Sequence, residues 1–256
     1  MFHSGKIGAV AILAGIVAVG GGAQAEPTEI VVRVLSRDAK FIGSSMGGAQ
    51  VTLRDVKSGD VLAEGQTSGG TGDTGLLMKA NQTRRAALST PEAAKFTAML
   101  DINEPRLVEV TAKGPMNNED GANTVSATQW IIPGKHLNGG DGWVLEMPGF
   151  SLVAQTADDV TAPGSVEINA DVKMMCGCPI EPGGMWNADG YEVAALVKKD
   201  GTVVAKVPLD YAGKTSQFAG VFHAESSGDY EAVVYAYDAR TGNTGVDNIA
   251  FSVGGE

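Results

Sequence analysis

The two cysteines of the chain, Cys176 and Cys178, stand either side of one glycine in the segment VKMMCGCPIEPGGMW (residues 172–186). Met174 and Met175 precede them directly and Met185 follows seven residues on. Thiolates with nearby thioethers form a soft donor set, which suits Cu(I) in preference to Mg²⁺ or Ca²⁺. In an extended strand the two cysteines share a face, because side chains alternate with period two. A bend at Gly177 would instead let both sulfurs converge on one ion. Gly183 and Gly184 would allow the chain to fold Met185 back towards them, and His223, from the stretch FAGVFHAE, is the remaining candidate ligand. The competing chemistry is oxidation: in an oxidising compartment paired thiols become disulfides. A Cys176–Cys178 bond would then be a clip that pins a tight loop, or an exchangeable redox pair. The spacing is neither C-x-x-C nor C-x-x-C-H, so neither a thioredoxin-like site nor a haem attachment is indicated.

Other constellations are weaker. SGGTGDTG (residues 68–75) could turn backbone N–H groups towards an anion. It lacks the Gly-Lys-Ser/Thr ending and the following helix of a phosphate loop, so it reads as a glycine-rich turn or a packing surface. HLNGGDGW (136–143) holds one histidine in a loop. DARTGNTGVDN (238–248 from Asp238) carries oxygen donors without the spacing of an EF-hand, and reads as an Asx-rich turn between two terminal strands. The H-E-x-x-H motif does not occur. Three histidines, one of them near the N-terminus, leave little for acid–base or nucleophilic catalysis. No catalytic residues are expected.

The elements that must position these residues are strands. With 35 glycines and only 6% aromatic residues, the composition is that of a turn-rich β protein. A net charge of −11 disfavours nucleic acid and anionic membrane surfaces as partners. Residues 1–25 read as a secretory leader: Lys6, an apolar run from Ile7 to Val19, and the small-x-small site Ala23–Ala25. Export to the periplasm or beyond is expected, with no membrane association other than the leader.

From Glu29 onward apolar residues alternate. EIVVRVLSRD, AQVTLRDVKSGDVLAEGQT with its KSGD turn, RLVEVTAKG, NTVSATQWIIPG and GWVLEMPGFSLVAQT all read as strands. One helix is expected, at about residues 91–100. Thr90 would cap it, Pro91 and Glu92 would open it, and Ala94, Phe96 and Met99 would form its buried side. TADDVTAPGS (156–165) breaks the pattern, and beyond it strand spacing resumes, with KKDG (198–201) as a hairpin turn. The expected architecture is all-β: two β-sandwich domains in series, residues 26–157 with a short helical insertion, and residues 158–256.

GAQVTLRDVKSGDVLAEGQTSG (48–69) resembles the opening hairpin of carboxypeptidase-regulatory-like, or transthyretin-like, domains. SQFAGVFHAESSGDYEAVVYAYDARTGNTG (216–245) is similar to the last strands of bacterial immunoglobulin-like domains. Both resemblances imply a scaffold and no common catalytic site. The functional expectation is an exported, non-enzymatic binding protein holding a soft metal, copper by preference, and no other cofactor. Its ligands would be Cys176, Cys178, Met174, Met175, Met185 and His223. The alternative is a structural or surface-assembly protein in which Cys176–Cys178 is a disulfide clip, with a partner protein or self-assembly in view.

Overall fold

A computed structural model describes residues 1, 25–79, 83–84, 86–156 and 160–255. The expected leader, residues 1–25, lies almost wholly outside the described residues, and the pair Asp158–Asp159 lies outside them too. The chain is all-β, and forms two sandwiches in series.

The first uses strands β1 (Glu26–Ser36), β2 (Gln50–Asp55), β3 (Val61–Gln66), β4 (Phe96–Ile102), β5 (Arg106–Gly114), β6 (Asn123–Ile131) and β7 (Trp143–Met147). One sheet has the order β4-β1-β7 and the other β3-β2-β5-β6. Ile30, Val32 and Val34 of β1 meet Val51 and Leu53 of β2 and Val108 and Val110 of β5 in one core. The alternation of apolar and polar residues along β5 sends every second side chain inward.

The second uses β8 (Phe150–Thr156), β9 (Val160–Thr161), β10 (Gly164–Met174), β11 (Glu192–Lys199), β12 (Thr202–Pro208), β13 (Asp210–Tyr211), β14 (Gln217–Ala224), β15 (Gly228–Tyr237) and β16 (Thr244–Gly254). Its sheets run β13-β14-β10-β8 and β12-β11-β15-β16-β9. Val166, Ile168, Ala170, Val172 and Met174 form the inner row of β10, facing Val193, Ala195 and Val197 of β11 and Ala232 and Val234 of β15. Asp200 and Gly201 take positive φ between β11 and β12, as a two-residue hairpin turn requires.

Two expectations are corrected. Residues 96–100, the second half of the expected helix at 91–100, lie in strand β4, antiparallel to β1 from Val32↔Phe96 to Glu26↔Ile102. Period two decides this: Ala98, Leu100 and Ile102 are buried while Thr97, Met99 and Asp101 are exposed. The Pro91–Glu92 pair makes a turn, not a helix start. The helical element described in the insertion is a single π-turn at Gly75–Lys79.

The junction between sandwiches also moves, from 157/158 to Pro148–Gly149. The run 142–156, read as one strand, splits there, and β8 pairs with β10 of the second sandwich. Pro148 has no N–H to continue a ladder. Gly149 has φ +125, and its N–H donates to Asn243 Oδ1 at 2.9 Å. The Pro148 carbonyl accepts from Asn123 Nδ2 at 2.7 Å.

Candidate functional site

The cysteine segment continues directly from β10. A strand at full extension separates residues two apart by roughly 6.6–7.2 Å between Cα atoms, but Cys176 and Cys178 stand 5.4 Å apart. Gly177, at φ +77, folds the chain, and its N–H donates to Met174 O at 2.7 Å. Met174 N donates to Cys178 O at 3.2 Å and closes the loop. The two sulfurs are joined in a disulfide, and both residues are buried.

The neighbouring methionines part company. Met174 points into the core of the second sandwich. Met175, the next residue, is fully buried in the core of the first. The extended alternation of side chains at the end of β10 sends these neighbours to opposite sides, and here each side is a different hydrophobic core. Met46 of the first sandwich closes over the loop from its other side: a Cβ on Gly177 would lie 2.6 Å from Met46 Sδ. Met46 Sδ also accepts from Asn117 Nδ2 at 3.6 Å. Gly149 of the junction is equally tight, since a Cβ there would come within 2.9 Å of Met175 Cε.

The sequence-derived ligand set is therefore only partly assembled. Cys176 and Cys178 come together, but bonded to each other. Met185 is 44% exposed. His223 pairs across the sheet with Ser165 and its Nδ1 lies 3.0 Å from Ser165 Oγ. Ser165 is at the far end of β10, so at about 3.3 Å per residue His223 is some 30 Å from Met174. Among the described residues no group of three or more His, Cys, Asp or Glu side chains is placed to hold a metal ion.

Around the sulfur loop, polar contacts knit the sandwiches together. Asn118 Nδ2 donates to Ser151 Oγ at 3.0 Å and to Leu152 O at 3.1 Å. Trp186 Nε1 donates to Asp38 O at 2.8 Å, and Asn243 Nδ2 to Arg37 O at 3.2 Å. Arg240 reaches Asp38 at 3.5 Å and Asp238 at 3.3 Å. Desolvation opposes ionisation of the buried Asp238 carboxyl. Hydrogen bonds from the Arg240 backbone, the Thr241 hydroxyl and the Arg240 guanidinium outweigh it and hold the group below its ordinary value. At Asp38 desolvation wins over the Arg240 charge, and the carboxyl is shifted upwards. Tyr191 is pushed up to about 12, by burial first and then by the negative charge of Asp238.

The Asx-rich stretch is the β15–β16 turn, as read, with Gly242 N donating to Asp238 O. What the sequence hides is that it docks on the Arg37–Asp38 turn of the other sandwich. Asp38, Pro148, Gly149 and Asn243 carried no signal beyond turn propensity. The glycine-rich run at 68–75 packs within the chain: Gly69 N donates to Ser44 Oγ and Gly70 N to Glu92 O, so these N–H groups are already used. His136 Nδ1 accepts from Glu29 N at 3.1 Å.

No protein-family model matches the chain, and no curated protein does. Among solved structures, the fibronectin(III)-like modules of Clostridium thermocellum CbhA are similar at 11% identity and a TM-score of 0.30, over 80% of this chain and 78% of that one. A marsupial T cell receptor is similar at 11% identity and a TM-score of 0.30, over 91% and 74%. The strand pairing described above, not these likenesses, defines the sandwich class.

Proposed function

We propose that this is an exported, non-enzymatic structural or assembly protein, and that Cys176–Cys178 is a disulfide clip at the junction of its two sandwiches. One observation carries the reading: the bonded pair is buried with Met174 in one core and Met175 in the other. A loop in that position fixes how one sandwich meets the next. Fixed spacing is what a stacking or surface-assembly module needs, and a catalytic site is not. The leader-like N-terminus and the oxidised thiols both suit an oxidising compartment. In this reading the first sandwich is transthyretin-like, on the β2–β3 hairpin, and the second is of the bacterial immunoglobulin-like type, on β14–β16.

The test is the intact mass of the mature protein expressed in a periplasm, under denaturing and native conditions, with elemental analysis for copper and zinc. The clip predicts a metal-free chain lighter than the dithiol by two hydrogens, and oligomers that form with concentration and ignore chelators. Near-stoichiometric copper on free thiols would sink it in favour of the soft-metal reading.

A further inference from the structure

Beside the clip, a cleft of about 310 Å³ opens between the sandwiches. Its floor is the outer face of the β14-β10-β8 sheet, where three cross-strand rungs lie side by side: Gln155 opposite Asn169, Val153 opposite Asp171 with Gln217 beyond, and Ser151 opposite Lys173. Its wall is the Asn117–Asn118 loop of the first sandwich, held to Ser151 and Leu152 by Asn118.

The chemistry of this lining is narrow. Five carboxamides converge on it, each with an acceptor oxygen and a two-hydrogen donor. The carboxamides of Gln155 and Asn169 hydrogen-bond nothing among the described residues. Asp171 accepts from Lys173 Nζ at 2.9 Å and from Gln217 Nε2 at 2.8 Å, so the one carboxylate and the one ammonium compensate each other. A charged ligand therefore gains nothing from the site. A ligand whose every hydroxyl both donates and accepts matches paired carboxamides. An extended peptide fits less well, because it is read through the main-chain groups of a sheet edge: the rungs lie on a sheet face, and at the edge strand β8 Leu152 O already accepts from Asn118 and Ala154 N already donates to Asp247. The volume lies at the small end of the range for ligand pockets, roughly 300–1,000 Å³.

The geometry points to a binding site for a neutral saccharide unit of one or two rings in this inter-sandwich cleft. Gln155 and Asn169 supply the free hydrogen-bonding groups, and Lys173 and Gln217 are oriented by Asp171. The site is separate from the clip reading and does not depend on it.

The experiment is saturation-transfer difference NMR on the full mature chain, with maltose, cellobiose and trehalose as neutral probes and glucuronate as the charged comparison. Transfer is expected from at least one neutral sugar, with a dissociation constant on the order of 1–10 mM. It should fall at least about fivefold, some 1 kcal/mol, in Asn169→Ala and in Gln155→Ala. Both side chains point away from the core, so both variants should fold, which circular dichroism checks. Thr128→Ala, on the outer face of β6 in the other sandwich, should bind as the parent does. No transfer from any neutral probe at about 20 mM, transfer from glucuronate alone, or transfer undiminished in both variants would each overturn the proposal.

Discussion

Three methionines flank the clip, and truncating each to alanine separates the two explanations of why sulfur is gathered there. Met175→Ala removes three heavy atoms from a fully buried position. Such truncations cost about 2–5 kcal/mol, because the surroundings collapse only partly into the space. Gly149, against which the Met175 methyl packs, lies on the Pro148–Gly149 turn, and Asn243 holds that turn. Collapse is restricted, so a central value of about 3 kcal/mol is appropriate. For a chain of this size that corresponds to a fall in Tm of roughly 6–12 °C. Although residue 175 follows a strand of the second sandwich, the loss falls on the core of the first. Calorimetry of Met175→Ala should therefore show the first sandwich melting earlier and the two transitions separating. Met174→Ala should lower the second by a similar amount. Met185→Ala, at an exposed position, should stay within about 0.5 kcal/mol of the parent. Equal stability of the Met175 and Met185 variants would refute the idea that this segment bridges two cores. If all three instead lost copper stoichiometrically with unchanged Tm, the methionines would be ligands.

Gly177→Ala places a Cβ at φ +77 and 2.6 Å from the buried Met46 Sδ; backbone strain and overpacking together predict about 2–4 kcal/mol of destabilisation. Gly183→Ala, at φ +70 with nothing within 4 Å, should cost only about 1–2 kcal/mol, so equal urea midpoints for the two would remove the packing argument. Asp238→Asn should destabilise the junction at neutral pH. The native carboxyl holds its proton less tightly than the unfolded one, so its contribution is complete above the ordinary value of 3.8 and is lost as pH falls through the depressed native value. Stability curves of parent and variant should therefore converge in acid below that value, and a gap that persists there would point to shape, not charge.

Much of the fold was legible because burial imposes period two on strands with one face inward. VKSGDVLAEG and the KKDG turn announce hairpins, and both hairpins form. The helix expected at 91–100 failed for an instructive reason. Thr90-Pro91-Glu92 is a good local helix start, but the alternation from Phe96 to Ile102 puts Ala98, Leu100 and Ile102 together on the buried face of a strand paired to β1. Long-range pairing overrode local propensity. The junction was missed because Pro148–Gly149 looks like any turn inside a strand pair. Whether the next strand joins the old sheet or a new one is set by which edge is free.

For the site, the sequence alone determined that Cys176 and Cys178 could meet, since a glycine between two residues permits the fold-back and adjacency guarantees proximity. It also determined the soft character of the cluster and the strand period that puts Asn169, Asp171 and Lys173 on one face. Tertiary structure decided everything that depends on partners distant in the chain. It sent Met174 and Met175 into different cores and placed His223 at the wrong end of its strand. It also brought Asn117 and Asn118 over a sheet whose strands they do not belong to. Local spacing fixes what neighbouring residues can do, whereas the packing of two hydrophobic cores decides which distant residues become their neighbours.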